Sequence, residues 1–121
     1  MEYDNNTPIY LQVIDQIKKD VLKGNLSPGQ KLPSTRELAL VYQINPNTAA
    51  RVYTEMERIG LCFTKRGLGT FLFEDSSYLD QLRDEMVSEV VTKFIKETTQ
   101  LGLNQGEIIS RLEGEWKNVN L

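Results

Sequence analysis

Ile9, Val13, Ile17 and Val21 recur every four residues, while Asp15, Gln16, Lys18, Lys19 and Lys23 fill positions between them and just beyond. That spacing predicts a helix with one buried face. Thr7-Pro8 opens it as a cap followed by proline at the first helical position, and Gly24-Asn25 closes it before a turn at Ser27-Pro28-Gly29. Ser34 and Glu37 then form a Ser-x-x-Glu capping box that starts a second helix, with Leu38, Ala39, Val41 and Tyr42 on its expected buried side. The chain turns at Gln43-Ile44 and restarts at Asn45, with Pro46 suited to the first helical position. Ala49, Val52 or Tyr53, Met56 and Ile59 mark the inward stripe of this third helix, and Gly60 stops it. Residues 61–65 and 70–74 read as two short strands joined through Arg66-Gly67-Leu68-Gly69, where two glycines permit positive φ and a close backbone approach.

A second region begins near Ser77, with Asp80 in the capping-box position. Leu79, Leu82, Met86, Val90 and Phe94 line one face of a long helix that runs to about Leu101-Gly102. Asn104 and Glu107 cap a last helix, whose stripe is Ile108, Leu112, Trp116 and Val119. The expected fold is therefore mainly α with a small β-hairpin, divided into a domain at 1–75 and a helical region at 76–121.

Composition then narrows the chemistry. A chain of 121 residues with 40% hydrophobic and 26% charged positions has room for one compact domain plus an appendage. No apolar run approaches a membrane span, and the N-terminal sequence does not read as a signal peptide, so a cytoplasmic location is expected. Cys62 stands alone, which rules out an internal disulfide and fits a reducing compartment. There is no histidine, which removes the usual general base and the commonest transition-metal ligand. No metal, no cofactor and no catalytic activity are expected.

The net charge of −3 conceals an uneven distribution. Residues 1–73 carry nine Lys or Arg against seven Asp or Glu, whereas residues 74–121 carry five against ten. Phosphate binding responds to local potential, because charges beyond a Debye length of about 8–10 Å are largely screened. An acidic tail is compatible with a basic reader.

Helix, turn, helix and basic hairpin in that order is how a small domain sets one helix in the major groove of DNA. The candidate contacts follow from position. Ser34, Thr35 and Arg36 stand at the start of the second helix, Asn45, Asn47, Thr48 and Arg51 along the first turns of the third, and Lys65, Arg66, Gly67 and Gly69 on the hairpin. Several have a plainer role available: Ser34 and Asn45 as caps, Arg51 as an i,i+4 partner of Glu55, and the hairpin cations as solvated charge. An exposed ion pair on a helix contributes only about 0.2–0.5 kcal/mol, and a bidentate contact to guanine about 1–3 kcal/mol, so DNA can outcompete the pair. Phosphate contacts from Arg36, the helix starts and the wing would set register, while Asn47, Thr48 and Arg51 would read base edges. Tyr53 and Met56 read as core.

LPSTRELA, a turn, NPNTAARVYTEME and GLGTF, following one another across about residues 8–73, resemble the GntR family of bacterial transcription regulators. The short two-helix tail is similar to that of the YtrA-type branch. The resemblance implies a winged helix-turn-helix domain plus a two-helix C-terminal dimerisation tail. It also implies a sequence-specific regulator, a repressor, acting as a homodimer on a palindromic double-stranded DNA operator. Many members carry arginine where Pro46 stands and another aligned with Ala50; here the helix arginine is Arg51, one position later, as in the YtrA-type and MocR-type branches. One residue rotates a helical side chain by about 100°, so base contacts do not transfer between branches.

The tail supplies its own argument for a second copy. The first 73 residues can close a core alone, and one short final helix is a poor cover for the long helix's stripe. Leu79, Leu82, Met86, Val90, Phe94, Ile108, Leu112 and Trp116 are expected to be mostly buried, against each other and the second subunit of an isologous dimer. A competing class is a winged-helix adaptor that binds protein instead of DNA. A two-helix tail leaves little room for an enclosed effector pocket, so any small-molecule effector would have to sit between domains or at the dimer interface.

Overall fold

The structure, a computed structural model, describes residues 1–120. In chain order the elements are α1 (Ile9–Leu22), α2 (Thr35–Tyr42), α3 (Pro46–Arg58), β1 (Cys62–Lys65), β2 (Gly69–Leu72), α4 (Ser76–Gln100) and α5 (Gln105–Trp116). No helix among the described residues is long and apolar enough to cross a membrane. The chain divides into two compact units, Met1–Leu82 and Arg83–Leu121.

The first unit closes around α3. Its Ala49, Val52, Tyr53 and Met56 are buried together with Val13, Ile14, Ile17 and Val21 of α1 and Leu38 and Ala39 of α2. Leu32, Leu61, Cys62, Leu72 and Phe73 complete this core from the hairpin side. Burying each large aliphatic side chain contributes about 1.5–3 kcal/mol, which is what sets the helices on one another. β1 and β2 pair antiparallel with Cys62 opposite Leu72 and Lys65 opposite Gly69. Residues 29–32 add a third, irregular edge: Leu32 N–H donates to Thr70 O at 2.8 Å, and Leu72 N–H to Gln30 O at 2.9 Å.

Several sequence expectations need correction. Thr7 does not cap α1; Pro8 holds the cap position with no side-chain bond, and the Gln12 amide donates to the Thr7 and Asp4 carbonyls instead. The inward stripe of α1 takes Ile14, while Ile9 is exposed, because a helix face follows a 3.6-residue period and drifts away from strict i,i+4 steps. On α2, Val41 is exposed and Tyr42 half-buried, so only Leu38 and Ala39 face the core. Asp75, not singled out by the capping pattern, accepts from the Ser77 N–H and hydroxyl at the entrance of α4. These bonds hold the Asp75 carboxyl below its ordinary pKa, the backbone N–H contributing most.

The first turns of α4 belong to the first unit. The Tyr78 ring packs at a tilt against Phe73, with centroids 4.6 Å apart, and its hydroxyl donates to Ile59 O at 3.0 Å. In the second unit, Asn104 and Glu107 form the expected capping box at the start of α5. Of the eight residues assigned to the interface, Leu82 and Ile108 are already buried in the single chain, and Leu79 and Met86 are half-buried. Val90, Phe94, Leu112 and Trp116 are exposed, Val90 at 68% and Trp116 at 66%. They are not covered by one another.

Candidate nucleic-acid interface

The turn between α2 and α3 is held by its backbone. Gln43 takes φ of +53°, and Ile44 N–H reaches back to Ala39 O at 3.0 Å, which redirects the chain into α3. The Tyr53 hydroxyl donates to Pro33 O and so ties α3 to the segment that leads into α2. Desolvation raises the Tyr53 pKa strongly and keeps that hydroxyl protonated as a donor.

Both helix starts are capped by the residues that were also contact candidates. Ser34 Oγ accepts from Glu37 N–H at 3.1 Å, and Glu37 Oε1 accepts from Ser34 N–H at 3.0 Å. The Glu37 carboxyl is held below its ordinary pKa, chiefly by that backbone bond. Asn45 Oδ1 accepts from Asn47 N–H at 2.8 Å. A cap uses only part of the hydroxyl or amide; Ser34 keeps its O–H donor and Asn45 its NH₂. Thr35 is half-buried and Arg36 exposed.

On α3, successive residues are about 100° apart, so the face opposite the buried Ala49, Val52, Tyr53 and Met56 is Asn47, Arg51, Thr54 and Arg58. Thr48 lies at the margin and is half-buried. Thr54 returns its hydroxyl to Ala50 O at 3.0 Å. The i,i+4 pair with Glu55, the plainer alternative for Arg51, is not the one the helix makes. Arg58 takes Glu55 with its Nε and Nη2, which lowers the Glu55 pKa and raises that of Arg58. Arg51 instead lies over the ring of Tyr10, its Cζ 4.0 Å from the centroid.

The hairpin is the third component. Gly67 and Gly69 take φ of +78° and +123° at its tip, and Arg66 and Leu68 are exposed beside them. Phe63 and Phe71 stack at 5.9 Å across the strands. Lys65 Nζ sits 5.3–5.6 Å from both rings and 3.8 Å from Glu74 Oε1. Lys31, absent from the sequence-derived contact set, bridges to Phe71 and runs over Gly69. A Cβ on Gly69 would stand 2.9 Å from its Cε. Its signal was a cation directly before Leu32-Pro33-Ser34, but only the isolated bridge to Phe71 reveals that it joins the wing. Lys31 to Ser34 spans at most about 10 Å of chain, so wing and α2 start are neighbours. Cys62 is buried beneath the hairpin, its pKa pushed up to about 12 by desolvation; it is no reactive thiol.

Cations, amides and hydroxyls thus collect on the two helix starts, the outer face of α3 and the wing. Among the described residues no cluster of His, Cys, Asp or Glu could hold a metal ion. Residues 9–72 match the family described as bacterial regulatory proteins, gntR family. The chain is 42% identical over 112 residues to the HTH-type transcriptional regulator YhcF of Bacillus subtilis, covering 93% of each. It is 41% identical over 100 residues to the HTH-type transcriptional repressor YtrA of the same organism, covering 82% of this chain and 77% of that one. A GntR family transcriptional regulator from Listeria monocytogenes superposes with a TM-score of 0.87 at 35% identity, over 98% of this chain and all of that one. AraR(DBD), solved in complex with operator ORR3, matches 60% of this chain and 87% of its own at a TM-score of 0.52 and 26% identity. The protein belongs to the GntR family and is a transcriptional regulator built on a DNA-binding winged helix-turn-helix.

Proposed function

We propose that the protein is a repressor that binds a palindromic operator as a homodimer, without catalysis and in the cytoplasm. The observation that carries the reading is the outer face of α3. Asn47 and Arg51 stand there exposed, with the basic wing in the same unit. Asn47, Thr48 and Arg51 read base edges in the major groove. Ser34, Thr35, Arg36 and Asn45 at the helix starts, with Lys65, Arg66 and the Gly67 and Gly69 backbone on the wing, hold phosphates. Lys31 joins the wing's set. The 41% identity to a protein named as a repressor supports the direction of regulation.

Val87, Val90, Val91, Phe94 and Ile95 of α4, with Ile109, Leu112 and Trp116 of α5, leave a broad apolar surface open on the second unit. A contiguous surface of this kind marks an interface, and a second copy covers it with the same residues. Two linked readers then gain affinity through effective concentration.

Selection of duplexes from a random pool by the purified protein, followed by titration at several salt concentrations, tests the reading. The expected product is an inverted repeat, bound with an affinity that falls steeply with salt. Recovery of no preferred sequence, together with salt-independent binding, overturns it.

A further inference from the structure

Arg58 takes the carboxylate nearest to Arg51 along the helix, and the exposed Arg51 rests on an aromatic ring instead. Its guanidinium carbon lies 4.0 Å from the centroid of Tyr10, a half-buried residue in the first turn of α1. Guanidinium nitrogens stand about 1.3 Å from that carbon, so none can point straight at the ring without penetrating it. The group lies across the aromatic face. A cation held there is attracted by the ring quadrupole, and what it gives up is its flat face. The N–H groups of arginine lie in the guanidinium plane, and these are what a guanine O6/N7 pair accepts. Stacking and base reading therefore use different parts of the same side chain.

Arginine pays a rotamer cost when it is fixed, and a side chain already held in the free protein loses less on binding. Glu55, the competing anchor, is occupied by Arg58, which holds both of its carboxylate oxygens. Arg58 so keeps Glu55 from drawing Arg51 along the helix. We infer that Tyr10 is a positioning residue for base recognition: its ring presents the edge of the Arg51 guanidinium to the major groove, and α1 so takes part in specificity without touching DNA. The inference rests on Arg51 reading a base, as proposed above.

The test uses the full-length protein, the duplex it selects from a random pool and a random-sequence duplex of equal length. Tyr10→Leu keeps apolar bulk and removes the ring; Tyr10→Phe keeps the ring and removes the hydroxyl. An exposed cation–π contact is worth about two- to fivefold in an equilibrium constant. Tyr10→Leu is expected to weaken the selected duplex by that factor. It should leave random-sequence affinity and salt slope unchanged, and relax preference at the same base position as Arg51→Ala. On the Arg51→Ala background it should cost nothing further, and Tyr10→Phe should match the parent protein. The inference is overturned if Tyr10→Leu binds like the parent, if its loss persists without Arg51, or if Tyr10→Phe falls equally. Circular-dichroism melting of each variant identifies any that is unfolded at the assay temperature. In that event Tyr10→Met takes the place of Tyr10→Leu, with the same expected loss and the same overturning results. A parent protein with no sequence preference would instead sink the proposed function itself.

Discussion

Single side chains in this protein divide by what they have already spent. Ser34 and Asn45 each commit one acceptor to a cap, Arg58 commits its fork to Glu55, and Arg51 commits only a face. Arg51→Ala is accordingly expected to weaken specific binding by about 1–3 kcal/mol and to relax one base position per half-site. Lys31→Gln, Lys65→Gln or Arg66→Gln should instead weaken every sequence alike and flatten the salt slope by about one unit each; titration at four or more salt concentrations separates the two behaviours. Cys62 and Tyr53 make a pH prediction. Burial raises both pKa values, that of Cys62 from its ordinary 9 to about 12. The folded chain holds these protons more tightly than the unfolded one, so the stability they contribute is full below about pH 9 and is lost as pH rises toward 12. Urea midpoints measured from pH 8 to 11 should fall, and Cys62→Ala should fall less steeply. A flat profile in the parent protein would contradict this.

At the scale of elements, the wing is the part whose geometry is least forgiving. Gly69 takes φ of +123°, a region closed to side chains, and Lys31 Cε occupies the space a Cβ needs. Gly67 takes φ of +78° with open space around it. Lys31 is flexible and can yield, whereas the backbone of residue 69 cannot. Gly69→Ala should therefore cost about 1–3 kcal/mol, and Gly67→Ala about 1–2 kcal/mol, with only the former displacing Lys31. Denaturant midpoints give the costs, and a salt slope lowered in Gly69→Ala alone reports the displaced lysine. The third helix is the opposite case. Its four buried residues, N-cap and N1 proline are all local signals, and its bounds come out close to those the pattern predicts.

For the whole molecule, the unit boundary after Leu82 changes where a truncation should be made. Leu82 is 3% exposed, and Tyr78 is bonded to Ile59, so cutting before residue 77 would strip the first unit of side chains it packs. Residues 1–82 are expected to fold as a monomer that binds the operator far more weakly than the full chain, which should sediment as a dimer at micromolar concentration. A dimeric truncation or a monomeric parent would show that the interface lies elsewhere. Trp116 is the sensitive probe of that surface, being 66% exposed in one chain; its fluorescence should shift to the blue as the dimer forms on concentration.

The residue order by itself determined what depends on near neighbours. Capping boxes span three residues and helix stripes about four, so Ser34–Glu37, Asn104–Glu107 and the buried face of α3 were readable without coordinates. The two-glycine hairpin was equally local. Tertiary structure alone decided the pairings between distant segments. It gave Arg51 to Tyr10 rather than to Glu55, and set Lys31 over Gly69 through an isolated bridge to Phe71 that no periodicity announces. It also turned Val41 outward and left Val90 and Trp116 uncovered. The physical reason is that a helix face declares that it is apolar but not what will cover it. A charged side chain within reach of several partners goes to whichever the packing of other elements brings nearest.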